Sequence, residues 1–370
     1  MTIADGREIV DRRSTALHLP LASPRFETPE AVVGWLGAVQ SQDYGPAKWS
    51  VAQRMGADVT DAELDRAFDA GRILRTHVLR PTWHFVVPED IHWLLSLTGP
   101  RIRALSAYML RTTGLTDPIL ARSNETVGRA LEGGRNLTRA ELRTEIDQAG
   151  IATDGFRMGY LMMHAEITLL VCSGALRGKV HTYALLEDRA PHARRLTRDE
   201  SLAELTRRYF TSHGPATVKD FRVWCSLPAA DARRGLELVG PELAQETFRD
   251  LTLWSGPAGG PDAVVVDPSP TVQLLQGYDE SIMGYTETKG LIDLSGTAGY
   301  SPTDRAIYVG VITLDGQFAG NWKRTIGKED VVIEAQLARP FDSAALDALR
   351  AAAMRHGAFL ERRAELVVVD

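Results

Sequence analysis

Residues 60–87 read TDAELDRAFDAGRILRTHVLRPTWHFVV. Thr60 can cap a helix that Gly71 stops, and two β-rich runs then flank Arg80-Pro81, which predicts a hairpin. Upstream, residues 27–40 read ETPEAVVGWLGAVQ. There Thr28 can cap, Pro29 fits the first helical position, and Val32, Val33, Leu36 and Val39 mark one apolar face. Helix, helix, hairpin is the order of a winged helix, and this expectation organises the rest of the chain.

The order recurs. TRAELRTEIDQAG (138–150) predicts a capped amphipathic helix, and RMGYLMMHAEITLLVCSG (157–174) a long apolar one. ALRGKVHTYALL (175–186) then turns at Arg177-Gly178-Lys179 and returns as a strand. A third block has SLAELTRRYFTSHG (201–214), TVKDFRVWCS (217–226) and LPAADARRGLELV (227–239), the last capped by Ser226, then strands in ETFRDLTLWSG and PDAVVVD around a loop at 256–262. AGRILR (70–75) and SGALRG (173–178) echo one another, which agrees with tandem repetition. The last hundred residues differ. TVQLLQGYDESIMGY (271–285) joins a buried strand to a short acidic element, and AIYVGVITLDGQFAGNWKRT (306–325) is a hairpin whose turn is Asp315-Gly316. A strand, a helix from Ser343 to about Leu360 and a terminal strand close the chain. The expected fold is α+β: winged-helix modules at 1–115, 116–197 and 198–268, then a C-terminal region at 269–370 holding a small sheet or half-barrel with one long helix.

Composition narrows the function classes. The 370 residues carry 42 Lys+Arg against 48 Asp+Glu, a net charge of −6, so any nucleic-acid surface must be a local concentration of cations. Cys172 and Cys225 lack disulfide or zinc spacing and read as buried thiols. The N-terminal stretch lacks an apolar signal core, and no run approaches the ~18 apolar residues of a membrane span, so the sequence predicts a cytoplasmic protein. Arg72, Arg75, Arg80, Arg177, Lys179, Arg207, Arg208, Lys219, Arg222, Lys323 and Arg324 fall at wings and helix ends. As a set they suit phosphate contact, though arginine decorates many soluble surfaces.

The catalytic menu is sparse. The sequence has no Gly-rich phosphate loop after a strand, no HExxH and no GxSxG. His77, His84, His92 and His164 read as hydrogen-bonded interior histidines. Asp279-Glu280 fits either an acid/base pair or a cap for an element beginning at Ser281. VQSQDY (39–44) is more informative. Residues two apart on a helix point about 200° apart, whereas in an extended stretch they share a face. Gln40 and Gln42 act together only if the helix ends by about Val39, which Asp43, Gly45 and Pro46 favour. Two carboxamides are too weakly basic to strip a proton, but they can hold a water against an electrophile whose leaving group is already good, such as a cationic N-alkylated base on a sugar. Such a reaction needs no metal or redox cofactor.

On AVQSQDYGPAKWSVAQRM, RTHVLRPTWHFVVPEDIHWL, HAEITLLVCSGALRG with HTYALLEDRAP, YFTSHGPATVKDFRVWCSL and GYDESIMGY with its Asp315-Gly316 hairpin, the chain resembles the AlkZ-like bacterial winged-helix DNA glycosylases. The resemblance implies a concave duplex-binding surface and a catalytic Gln-x-Gln motif carried by Gln40 and Gln42. It also implies hydrolysis of the N-glycosidic bond of N7-alkylated purines, including crosslinked ones, and a β-hairpin that engages DNA. The motif's middle position, usually apolar in that family, is Ser41 here. The candidate hairpin is Leu314–Trp322, including Asp315, Gly316, Gln317 and Trp322, with Lys323 and Arg324 behind; the Arg72–Val87 wing, with Arg75, Arg80 and His84, is the alternative. No lysine or N-terminal amine sits in a nucleophile motif, so the expected enzyme is a monofunctional, monomeric glycosylase acting on duplex DNA with alkylated bases. Two rival readings are a non-catalytic DNA-binding regulator and a protein that sequesters a DNA-alkylating metabolite with Trp49 and Trp83.

Overall fold

A computed structural model describes residues 3–23, 25–56, 59–256, 265, 267–296, 298 and 310–369. In the first block, helices Pro29–Leu36, Tyr44–Ala52 and Asp61–Asp69 precede a small sheet. In that sheet Val39–Gln40 pairs with Trp83–Val86, which pairs in turn with Leu74–His77. The second block repeats the plan with helices Asp117–Leu131, Arg139–Gln148 and Arg157–Ile167, and a sheet in which Leu137–Thr138 pairs with Thr182–Leu185, and that with Val171–Ser173. The third has helices Arg198–His213, Val218–Cys225 and Ala229–Val239 before the hairpin Ala244–Phe248/Leu251–Ser255. In each block the helices come ahead of a two-stranded hairpin.

Several boundaries differ from the sequence reading, for local reasons. The Pro29 helix stops at Leu36 because Gly37 adopts φ 81°, which frees Val39 and Gln40 to pair as a strand. The apolar run after Arg157 is helix only to Ile167. Leu169 turns left-handed at φ 64° and the chain re-enters a sheet at Val171, because a short apolar run carries no periodicity that separates buried helix from buried strand. The AGRILR/SGALRG echo is out of structural register, since the first leads into a strand and the second follows one. Ser226 ends the Val218 helix in the left-handed conformation at φ 56° and leaves the next helix to Pro228. Of the strand expected across 261–267 only residues 265 and 267 are described, and the first residues of the 306–325 hairpin lie outside the described residues.

The C-terminal sheet runs Arg363–Val369, Asp330–Leu337, Gln317–Ile326, Gly310–Leu314, Val272–Leu275. It is open, antiparallel except for the outermost pair of Arg363–Val369 with Asp330–Leu337, and that parallel pair is bridged by the helix Ser343–Phe359. Its hairpin turn has φ 50° at Asp315 and 72° at Gly316, the geometry an Asp-Gly pair favours. One large core joins the first block, the third block and this sheet, including Leu36, Phe85, Trp224, Leu274 and Ile333. The second block keeps a core of its own around Leu120, Leu142, Ile146, Met158 and Leu161.

Candidate active site

Gln40 lies opposite His84 in the first sheet, and Ser41 N–H donates to the Trp83 carbonyl at 2.8 Å, which holds the chain just past the strand's end. Arg75 pins it from the other side. Its Nε donates to Ser41 O at 3.0 Å and its Nη2 to Gln42 O at 3.3 Å, while the guanidinium sits 4.4 Å over the Trp83 ring. Gln40 therefore ends the strand, and Gln42 lies in the bend that follows it. Their surroundings differ: Gln40 is 3% exposed, and Gln42 is exposed.

Buried charge fixes Gln40. Arg80 Nη2 donates to Gln40 Oε1 at 3.0 Å, and Glu280 Oε1 accepts from Gln40 N–H at 3.3 Å. Arginine has only donors, so this contact sets the amide orientation: the Gln40 oxygen faces Arg80 and its NH2 remains for another acceptor. Arg80 is itself anchored by Nη1 to Trp224 O at 2.5 Å. It is presented by a tight turn in which buried Leu79 takes φ 62°, a left-handed conformation costing a bulky residue on the order of 1–3 kcal/mol. Glu280, fully buried, also accepts from Trp224 Nε1 at 2.8 Å and faces His213 Nε2 at 3.3 Å. Next to it Asp279 is paired with Arg54, both wholly buried, at 3.0 Å, and caps Ser281 N–H at 3.0 Å. Burial alone would raise the Asp279 pKa, but Arg54 and its hydrogen bonds outweigh that and hold it below the usual carboxylate range. Of the two readings of Asp279-Glu280, capping holds for Asp279, and Glu280 backs the motif.

Gln42 is more loosely held. Its Oε1 accepts from Trp83 N–H at 3.4 Å. Trp83 Nε1 donates in turn to Glu166 Oε1 at 3.2 Å, and Glu166 Oε2 lies against His77 Nδ1. Glu166, nearly fully buried in the second block, thus reaches across to the first; a lone carboxylate in the apolar run RMGYLMMHAEITLLV was the signal that could have exposed it.

The other expected site residues are dispersed. The sequence puts His84 and Trp322 at a DNA surface; the structure buries both. His84 is fully enclosed between Arg80, at 3.1 Å, and Thr82 O, at 2.9 Å, and its pKa falls well below normal through burial and then the Arg80 charge. Trp322 donates its indole N–H to Leu275 O at 2.8 Å. The turn expected to meet DNA is occupied internally: Asp315 accepts from Ser269 Oγ and Thr271 N–H, both at 2.8 Å, Gly316 abuts Val10, and Gln317 bonds Leu294 N–H and Leu291 O. The opposite end of that hairpin approaches the motif, with Arg324 Nη2 packed against Gly45. Lys179 is exposed on the second wing, whereas Arg177 is bound to Glu141 and Asn136 O, both at 2.8 Å. Arg72, Arg207, Arg208, Lys219 and Lys323 also meet carboxylates, which is why the chain's basic set is less available than its positions suggest. Among the four histidines read as interior, His77 and His84 are buried and hydrogen-bonded; His92 is only half-buried, and His164 keeps an unpartnered Nδ1 and a pKa lowered by burial to about 4. Cys172 and Cys225 are buried free thiols, each pushed up to about 12 by burial. Among the described residues no helix is long and apolar enough to cross a membrane.

A carboxamide pair thus lies at the edge of a small three-stranded sheet, backed by arginines and buried carboxylates. Residues 33–359 match the family described as DNA glycosylase AlkZ-like, and the chain belongs to it. It is therefore a DNA-repair enzyme whose substrate is DNA. The fold is similar to that of the Streptomyces sahachiroi DNA glycosylase AlkZ, with a TM-score of 0.80 over 98% of this chain and 99% of that one, at 21% identity. No curated protein matches the sequence. Family membership sets aside the regulator and the metabolite-sequestering protein as leading readings.

Proposed function

We propose that the enzyme hydrolyses the N-glycosidic bond of N7-alkylated purines in duplex DNA, crosslinked ones included, with Gln40 and Gln42 holding the attacking water. The observation that carries this reading is the unequal pair: a Gln40 carbonyl already engaged by Arg80 beside an exposed Gln42 whose oxygen has only a 3.4 Å contact. Gln42 Oε1 accepts one hydrogen of the water, the Gln40 NH2 donates to its oxygen, and the remaining lone pair faces C1′. The water oxygen bonds C1′ as the C1′–N9 bond breaks with its electron pair going to N9, the alkylated purine leaves as a neutral base, and the water's proton passes to solvent, so position and fixed dipoles do the work. Water supplies the nucleophile, so the product is an abasic site without strand cleavage. The three helix-and-hairpin blocks, with boundaries near 115, 197 and 268, act as one monomeric duplex-binding surface. The recurrence of the same strand order in the first two sheets supports that division. Release of 7-methylguanine from methylated duplex is the test. Gln40→Ala/Gln42→Ala should lower it by about 100-fold or more, as expected when a water is no longer positioned; equal release by both proteins overturns the mechanism.

A further inference from the structure

Beside the motif lies a cavity of about 310 Å³, at the low end of small-ligand sites, with Asp43 and Pro46 on one side and Trp49, Trp322 and Arg324 on others. Gln276 lines it. That side chain is 2% exposed, and neither its Oε1 nor its Nε2 has a partner among the described residues. A buried carboxamide with both functions unpaired is rare in native proteins and calls for an explanation. Its backbone is rigidly placed, because the preceding strand Val272–Leu275 carries Leu274 O and Leu275 O, which accept from the Trp49 and Trp322 indoles at 2.7 and 2.8 Å. The result is a donor group and an acceptor in one plane, between indole-lined walls, with Asp43, the residue after the motif, at the cavity's rim.

We propose that this cavity receives a purine alkylated without a crosslink, extruded from the duplex for excision, and that Gln276 pairs with its hydrogen-bonding edge. This rests on the alkylpurine reading above. A carboxamide matches a purine edge that offers one acceptor and one donor: for guanine, the Gln276 NH2 donates to O6 while its oxygen accepts from N1–H, and N7 alkylation leaves both atoms available. Apolar walls and a polar floor are the general means by which enzymes read a flipped base. Arg324, half-buried between Gly45 and His356, with Nη1 2.9 Å from His356 Nε2, sets a cation where the flanking phosphates pass. Gln276 is accordingly a residue that contacts substrate, and Gln40 and Gln42 lie outside the cavity, toward the sugar.

Gln276→Leu keeps the volume and removes both polar atoms. Since it also removes a buried unpaired group, the variant should melt at least as high as wild type, which shows that it folds. It should bind unmodified duplex as the wild type does and release 7-methylguanine at least about tenfold more slowly, the cost of losing one bidentate base contact. Unchanged release overturns the proposal. A second arm does not depend on catalysis: with Gln42→Ala and a duplex carrying 2-aminopurine at the target position, binding should raise the fluorescence as the base leaves the stack, and adding Gln276→Leu should remove that rise. If the wild type releases no 7-methylguanine, the lesion reading fails, and this arm alone decides the cavity: a Gln276-dependent rise sustains it, and a rise indifferent to Gln276, or none, overturns it.

Discussion

The first and second blocks share three helices, a two-residue strand and a hairpin, yet the two-residue strands end differently. In the second block Leu137–Thr138 runs straight into a helix whose first turn is closed reciprocally by Thr138 and Glu141. Glu141 is held at a pKa of about 2, first by the Thr138 backbone N–H and then by the Arg177 guanidinium and the Thr138 hydroxyl. In the first block the equivalent strand Val39–Gln40 is followed by Ser41-Gln42 outside any regular element, and the next helix begins after Asp43 with no side-chain cap. A position that elsewhere earns local stability here presents carboxamides, and the loss is offset by remote groups: Arg80, Glu280 and the buried Arg54–Asp279 pair. Sites that break a local rule while distant residues compensate are where function is expected.

Four substitutions break or sharpen that contrast, from the largest effect to the smallest. Asp279→Ala strands the buried Arg54 charge and should destabilise the protein by about 3–5 kcal/mol in denaturant titration; a loss below about 1 kcal/mol would mean that the first block does not depend on the distant pair. Arg80→Met keeps much of the side-chain bulk but releases the Gln40 oxygen, and base release should fall about 10- to 100-fold with duplex affinity retained, as a positioning role requires. Thr138→Ala removes the second block's capping box, with a cost near 1 kcal/mol and no change in base release; a drop in release would show that the two edges are not functionally distinct. His181, from the second block, packs at 4.6 Å against Tyr44 of the first, and burial followed by the Arg75 charge lowers its pKa to about 4. Its neutral form is favoured in the folded state, so stability is intact above the unfolded value near 6.5 and declines as pH falls from there to about 4. Solvent at this partly exposed ring keeps the effect small. His181→Gln should flatten the decline in thermal melts over that window, and an identical slope would remove His181 as its cause.

Much of the fold was legible because its signals are local. Thr28, Thr60 and Thr138 cap the helices expected of them, and Asp315-Gly316 makes its turn. The helix end ahead of Gln40 was expected near Val39 from Asp43, Gly45 and Pro46; Gly37 instead ends it at Leu36, and Gly45 and Pro46 belong to the next helix, Tyr44–Ala52. What supports the Gln40/Gln42 pair was not legible. Glu280 meets Gln40 across 240 residues of sequence, and Gln42 reaches Glu166 only through Trp83. No periodicity encodes such contacts, and Leu79, an ordinary apolar residue in sequence, gives no hint of its left-handed backbone. The Asp315-Gly316 turn shows the converse: its type was readable, but the segment against which it docks was not.

The span between Gln40 and Glu280 also bears on biosynthesis. At roughly 5–20 residues per second of translation, the carboxylate that clasps the motif leaves the ribosome on the order of 10–50 s after the motif itself. Until it arrives a nascent chain holds Gln40 and Gln42 without this clamp.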